Sequence, residues 1–144
     1  MIQRIQTIYL LLVLIVSGGI SFVALLWTSM AGDNYYLTNM IDSNSWGLIS
    51  IPIGFIISAL LSFWSVLKFK NRKEQIKLNR FNIVSNLYLL GIFVYQLLTL
   101  SGESKISEKG IGLFLPVIVI VLLVLANKAT QKDEELVKSV DRLR

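Results

Sequence analysis

Four long stretches of this chain carry no charged side chain, and short charged segments separate them. The stretches run over residues 5–32, 43–67, 81–102 and 110–127. A helix needs roughly 20 apolar residues to cross the hydrocarbon of a bilayer, with about 17 as the lower limit. The pattern predicts an all-α membrane protein, one integral domain over 1–144 with four transmembrane helices at about 5–30, 46–67, 81–100 and 110–127.

The composition supports a membrane protein and removes several kinds of chemistry. Hydrophobic residues make up 54% of the chain and charged residues only 16%, whereas about a quarter of a typical soluble domain is charged. The chain has no cysteine and no histidine. Disulfides, thiolate chemistry and the commonest ligand of zinc, copper and haem iron are excluded, and we expect no catalytic, metal or cofactor site.

The distribution of basic residues predicts the orientation of the helices. Of 14 lysines and arginines, one precedes the first span, six lie in the loop 68–80 and five follow the fourth span. Cytoplasmic loops carry an excess of such residues, so we expect both termini in the cytoplasm and the loop 31–45 outside. Trp27, Tyr35, Tyr36 and Trp46 are then expected as interfacial aromatic residues.

The first apolar run has a second interpretation. Arg4 followed by an apolar stretch also resembles a secretory signal peptide, with Ser17 to Gly19 as a cleavage site. The run from Ile8 to Leu26 is longer than the roughly 7–15 residues of a typical signal-peptide core, which favours a retained span.

Two similar motifs indicate a duplication. Gln3 to Gln6 opens the first span with the pattern amide, arginine, apolar, amide, and Asn79 to Asn82 repeats it at the third. The second and fourth spans share a Gly-Leu pair followed by a proline, at Pro52 and Pro116. Two tandem hairpin repeats explain this; the alternative is that odd spans need an interfacial arginine and even spans tolerate proline in their first turn.

Two of the spans carry stripes of small or polar residues. Span two has Ser50, Gly54, Ser58, Ser62 and Ser65 on one face, a spacing that lets helices approach closely in lipid. We expect this face to pack against a similar face of span one, formed by Ser17, Ser21, Ala24 and Thr28. The alternative function of the stripe is a polar groove for a ligand.

Span three is the most polar, with Asn79, Asn82, Asn86 and Gln96 on one face. An amide left unpaired in hydrocarbon costs several kcal/mol, so these side chains should face protein. They either bond to neighbouring helices or form a small headgroup or ligand site at the cytoplasmic leaflet, made by Asn82 and Asn86 with Gln6. No ionisable residue lies deep in any span, which disfavours ion-coupled transport.

The residues after span four predict a short amphipathic C-terminal helix. Leu136, Val137, Val140 and Leu143 share one face, and the acidic triplet 133–135 lies near the helix start, where negative charge is favourable. Glu134 and Lys138 have the spacing of an ion pair. We expect this tail to dock on the bundle, with its acidic triplet against the basic loop, or on a partner; the alternative is a solvated helix.

The two ends of the chain resemble a known family. The opening residues 1–12, MIQRIQTIYLLL, and the closing residues 132–144, KDEELVKSVDRLR, are similar to a family of small four-span inner-membrane proteins from Bacteroidota, catalogued as a domain of unknown function. The resemblance covers essentially the whole chain. It implies a bacterial inner-membrane location and a four-helix fold, and it implies no activity.

We therefore expect a non-catalytic accessory or scaffold subunit of an inner-membrane assembly. Its partners would be membrane lipids and a membrane protein or a second copy of the chain, and not nucleic acid. The alternative is a small carrier of a lipid or hydrophobic molecule, and a membrane-embedded enzyme comes third. The residues expected to make contacts are Gln3, Arg4, Gln6, Asn79, Arg80, Asn82, Asn86 and Gln96, with Asp133, Glu134, Glu135, Leu136, Val140 and Arg142 in the tail.

Overall fold

A computed structural model describes residues 5–29, 32–100 and 106–144 of the chain. It confirms four helices that are long and apolar enough to cross a membrane. These are α1, Ile5–Val23, then α3, Trp46–Leu67, α4, Arg72–Leu100, and α5, Leu115–Arg142. A short helix, α2, covers Leu37–Ile41, and a 3₁₀ turn at Ile111–Phe114 leads into α5.

The four long helices form an antiparallel bundle in which each helix packs against two others. The helix α1 lies against α3 and α5, and α4 lies against the same two helices. The turn 68–71, between α3 and α4, is at one end, which we call the basic end. The loops that follow α1 and α4 are at the opposite end, which we call the sheet end.

The buried positions follow the repeat of a helical bundle. In α4 they are separated alternately by four and three residues, and they comprise Gln75, Asn79, Asn82, Asn86, Leu89, Phe93 and Gln96. This spacing keeps one seam facing the neighbouring helices. Large apolar side chains such as Leu60, Val84 and Val121 are exposed on the outside of the bundle, as expected where lipid surrounds it.

A π-helical turn at Val16–Ile20 interrupts α1. The hydroxyls of Ser17 and Ser21 donate to the carbonyls of Val13 and Ser17, four residues earlier. In a regular helix with alternating spacings of four and three, the buried position after Ser17 would be residue 20. Here the next buried residue is Ser21, four residues later. Because a π turn accommodates one extra residue, it keeps both serines on the inner face.

The first span is shorter than predicted, and an all-α description is incomplete. The backbone becomes extended at Ala24, and the chain continues as strand β1, Leu25–Ser29. This strand lies between β2, Asn34–Tyr36, and β3, Ile106–Lys109, and both pairings are antiparallel. The apolar run ends in a sheet because residues of the loop that follows it, and of the loop that follows α4, supply its hydrogen-bond partners.

Trp27 is not the interfacial residue that the sequence predicts. Its side chain is buried, and its ring stacks on Tyr35 with 5.6 Å between the ring centroids. With Leu26, Leu37 and Met40 it joins the apolar cluster that fills the sheet end of the bundle. Trp46, by contrast, is almost fully exposed at the start of α3, as an interfacial aromatic residue would be.

A glycine allows the sheet and the bundle to approach each other. The backbone N–H of Gly110 donates to the carbonyl of Leu26 at 2.8 Å. A Cβ atom at position 110 would collide with the carbonyl oxygen of Leu25. The residue that connects β3 to the fourth span therefore has no room for a side chain.

The helices at the basic end also differ from the predicted boundaries. The turn 68–71 replaces a predicted loop over 68–80, because α4 begins at Arg72 rather than near residue 81. The segment 68–80 contains no glycine or proline, and six of its residues are Lys or Arg, which favour helix. Likewise α5 continues without a break from Leu115 to Arg142, so the tail is not a separate C-terminal helix.

Candidate functional site

Buried amide side chains line the inner face of α4. Five of its seven buried seam positions are amides, namely Gln75, Asn79, Asn82, Asn86 and Gln96. Three of these amides bond to other helices. We call Asn79, Asn82 and Asn86, with the serines of α3 that they contact, the amide ladder.

The middle of the amide ladder joins α4 to α3. The Asn82 Nδ2 donates to Ser62 Oγ at 2.8 Å and to the carbonyl of Ser58 at 3.1 Å. One turn further on, Asn86 Nδ2 donates to Ser58 Oγ at 3.0 Å and to Asn82 Oδ1 at 3.0 Å. The donors of both asparagines are therefore engaged in helix packing.

Asn79 connects three helices. Its Oδ1 accepts from Ser65 Oγ of α3 at 2.7 Å, and its Nδ2 donates to Asn127 Oδ1 of α5 at 2.9 Å. Sequence reasoning did not single out Asn127, although it is the last uncharged residue of the fourth stretch. The signal that could have identified it is a polar residue within the apolar run of a membrane helix, since such residues usually bond to a neighbouring helix.

The small residues of α3 pack against α4, and the predicted packing of this stripe on span one is wrong. Ser58, Ser62 and Ser65 bond to the asparagines of α4. A Cβ atom at Gly54 of α3 would lie 2.5 Å from Leu89 Cδ2 of α4. The asparagines determine this arrangement because their amides need partners inside the membrane, whereas Ser17 and Ser21 of α1 bond to their own helix backbone.

Other predicted contact residues lie apart from the amide ladder. Gln3 and Arg4 are outside the described residues. Arg80 is exposed on the outer face of α4, away from the asparagine beside it. Gln96 is buried near the sheet end, and its Nε2 lies 2.7 Å from where a Cβ at Gly47 would be.

Gln6 and Gln75 are buried at the basic end, and the structure gives them an unusual environment. Gln6 is 1% exposed and Gln75 is 0% exposed. Within the described part of the chain, no hydrogen-bond partner reaches the Nε2 or the Oε1 of either side chain. Sequence reasoning missed Gln75, although it lies four residues before Asn79 on the same face of α4.

The tail extends α5 and leaves its apolar face uncovered. Leu136 is 56% exposed, Val140 58% and Leu143 89%. The Lys138 Nζ pairs with Glu134 Oε1 at 3.1 Å, as the spacing predicts. The sequence analysis expected this face to dock on the bundle or on a partner. In the structure it does not dock on the bundle, because the tail continues in line with α5. The acidic residues Asp133 and Glu134 are half-buried near its start, whereas Glu135 and Arg142 are exposed.

The described residues contain no cluster of three or more metal-ligating His, Cys, Asp or Glu side chains. A depression on the tail is lined by Glu135, Lys138, Ser139, Arg142 and Leu143, all from the tail itself. The amide ladder provides hydrogen bonds inside the bundle, and the tail provides an exposed apolar surface outside it.

Comparison with known proteins gives a family and no activity. Neither the curated proteins nor the solved structures include one with significant similarity to the chain. A protein-family model matches residues 2–143, which is nearly the whole chain and agrees with the resemblance of its two ends. The chain therefore belongs to the family described as Domain of unknown function (DUF4293).

Proposed function

We propose that the protein is a non-catalytic accessory or scaffold subunit of a bacterial inner-membrane assembly. Both termini lie in the cytoplasm, and the apolar face of the tail binds another protein of the assembly. The observation that carries this proposal is the uncovered row of Leu136, Val140 and Leu143 along the continuous C-terminal extension of α5 and its C-cap.

The geometry of the extension favours binding at a distance from the bilayer. Residues 117–144 contain neither glycine nor proline, the usual causes of a sharp kink, so the tail should continue straight from the fourth span. The 15 residues from Lys128 to Arg142 would extend about 22 Å at 1.5 Å per residue. Apolar side chains repeated at this spacing are typical of a helix that docks in a groove of a partner.

The charge distribution supports a cytoplasmic tail. The tail follows Asn127, which bonds to Asn79 in the first part of α4, and it leaves the bundle at the basic end. Eleven of the 14 lysines and arginines belong to the described segments at this end, six in 68–80 and five in 128–144. An excess of basic residues in short loops is typical of the cytoplasmic side of a bacterial inner membrane.

The interior of the bundle supports a scaffold rather than a carrier. A carrier would need Asn82 and Asn86 to line an open cavity, whereas both side chains donate hydrogen bonds to serines of α3. Apolar side chains including Phe55, Leu89 and Phe93 fill the bundle beyond them, toward the sheet end.

The test is co-purification of the tagged protein from its native membrane in a mild detergent, followed by mass spectrometry. One variant changes the apolar face, Leu136→Ser, Val140→Ser and Leu143→Ser. A matched control changes three residues of the opposite face, Glu134→Ser, Lys138→Ser and Asp141→Ser. We expect one partner protein at near-stoichiometric yield with the natural protein and with the control. The apolar-face variant should recover at least about tenfold less of it, because it lacks three apolar side chains that the partner would bury.

Two results would contradict the proposal. Recovery of the protein alone would remove the partner altogether. Recovery of the same partner with all three proteins would show that the tail face does not bind it. Because the three apolar side chains are exposed, their substitution leaves the packing of the bundle intact, and loss of the partner would not reflect unfolding.

A further inference from the structure

Two unpaired glutamines at the basic end require an explanation. An amide removed from water costs free energy unless a hydrogen bond replaces the one it lost, and most buried polar groups in proteins are paired. Within the described residues, Gln6 and Gln75 each leave both a donor and an acceptor unpaired. Four polar atoms in the interior of the bundle therefore lack a hydrogen-bond partner among the described residues.

Both glutamines lie toward the basic end of the bundle. Asn79 bonds to Asn127, and Gln75 is one helical turn, about 6 Å, nearer to the basic end. Leu10 belongs to the apolar cluster that α1 shares with α5, and Gln6 is one turn nearer to the basic end than Leu10. Thr130 of α5, four residues beyond Ala126, is also buried, and we call Gln6, Gln75 and Thr130 the glutamine layer.

The glutamine layer is adjacent to the aqueous end of the bundle. Arg72 lies three residues before Gln75 on the same side of α4, and its Nε is also buried without a partner among the described residues. Arg72 is half-buried, and Lys128 and Lys132 of the neighbouring α5 are exposed. A small ligand from the aqueous phase would have to pass only about one helical turn of protein to reach the layer.

We propose that the glutamine layer is a binding site for ordered water. The ligand must donate to Oε1 and accept from Nε2 of the same amide, and water does both. It must also be small, because each glutamine is at most 1% exposed. A chain of this length ordinarily holds about five buried waters, each bonded to two to four polar groups. This inference is independent of the tail and of the partner that the tail binds.

The direct test is nuclear magnetic resonance of the 16.3 kDa protein in lipid nanodiscs, recording magnetisation transfer between water and side-chain amides. We expect cross-peaks with water at the NH₂ groups of Gln6 and Gln75. The control is Asn82, whose Nδ2 is bonded to Ser58 and Ser62, and which should show none. Absence of the cross-peak at either glutamine would overturn the inference.

A second test uses the sign of a change in stability. Gln6→Met and Gln75→Met each keep the length of the side chain and remove its amide. If water bonds to the amides, each substitution lowers the thermal unfolding midpoint, since the bound water loses its partners. If the amides are unpaired, each substitution leaves the midpoint unchanged or raises it, which would overturn the inference. Gln131→Met, at an exposed position of α5, is the control and should leave it unchanged.

Discussion

At the scale of single residues, asparagine side chains hold this bundle together where an apolar core alone could not. Burial of apolar surface gives little drive for association between helices in lipid, so hydrogen bonds and close packing carry more of the stability. Asn79 shows the point, because one side chain bonds to two other helices. The sequence could predict that these amides face protein, since hydrocarbon offers no partner. It could not predict which helix supplies the partner, because serine stripes occur on two helices.

Asn82→Leu tests the contribution of the amide ladder at the residue where it bonds twice to α3. Leucine has nearly the same shape but cannot donate to Ser62 or to the Ser58 carbonyl. We expect the free energy of unfolding to fall by about 0.6–2 kcal/mol, from the average of double-mutant cycles in a membrane protein to the upper value in model peptides. Chemical unfolding of the purified protein in mixed micelles measures this change.

The control for that substitution is Val84→Leu, two residues away and exposed on the outer face of the same helix. It should leave the unfolding free energy unchanged. Equal stability of Asn82→Leu and the natural protein would mean that the observed hydrogen bonds do not contribute.

At the scale of elements, the pairing of β1 with β2 and β3 determines a structure that the local sequence pattern does not predict. The residues Leu25–Ser29 continue an apolar run, and periodicity alone cannot distinguish a buried strand from the end of a helix. Their partners lie about ten and eighty residues later in the chain, in β2 and β3. The opposite error occurred in the segment 68–80, where a run of charges predicted a loop although its residues favour helix. The four long helices themselves followed from the apolar runs.

Gly54→Ala tests the close approach of α3 and α4. The added methyl group would lie 2.5 Å from Leu89 Cδ2, whose side chain is fully buried and would have to shift. We expect the free energy of unfolding to fall by about 1–3 kcal/mol, the cost of overpacking a well-packed core. The same unfolding experiment in mixed micelles gives the value.

Gly91→Ala is the matched control, because a Cβ at this position of α4 meets nothing within 4 Å. It should leave stability unchanged or raise it by up to about 1 kcal/mol through a better helix propensity. If both alanine substitutions had the same effect, α3 and α4 would not approach each other as closely as the structure has them.

At the scale of the whole molecule, the two ends of the bundle differ in chemistry. The sheet end is covered by β1 to β3 and filled by an apolar cluster. The basic end holds exposed lysines, the glutamine layer and the tail. The tandem repeat remains a prediction at this scale. The first helices of the two proposed hairpins differ, because α1 gives way to a strand at Leu25, whereas α4 runs uninterrupted from Arg72 to Leu100.

Cysteine labelling tests the orientation of the two ends. The natural chain has no cysteine, so Asn44→Cys near the sheet end and Ser139→Cys in the tail would each give one exposed reactive position. With a membrane-impermeant maleimide, we expect Asn44→Cys to react from outside intact spheroplasts and Ser139→Cys to react only after the membrane is opened. The reverse pattern would invert the topology and place the tail outside the cytoplasm.

Site-specific photo-crosslinking in intact cells shows whether the apolar face of the tail binds a different protein. A photoreactive amino acid replaces Val140 on the apolar face of the tail or, as the control, Asp141 beside it. We expect one discrete adduct with a different protein from position 140 and none from position 141. No adduct at position 140, adducts of equal yield from both positions, or an adduct at twice the mass of the chain would contradict an accessory subunit that binds a distinct partner through this face.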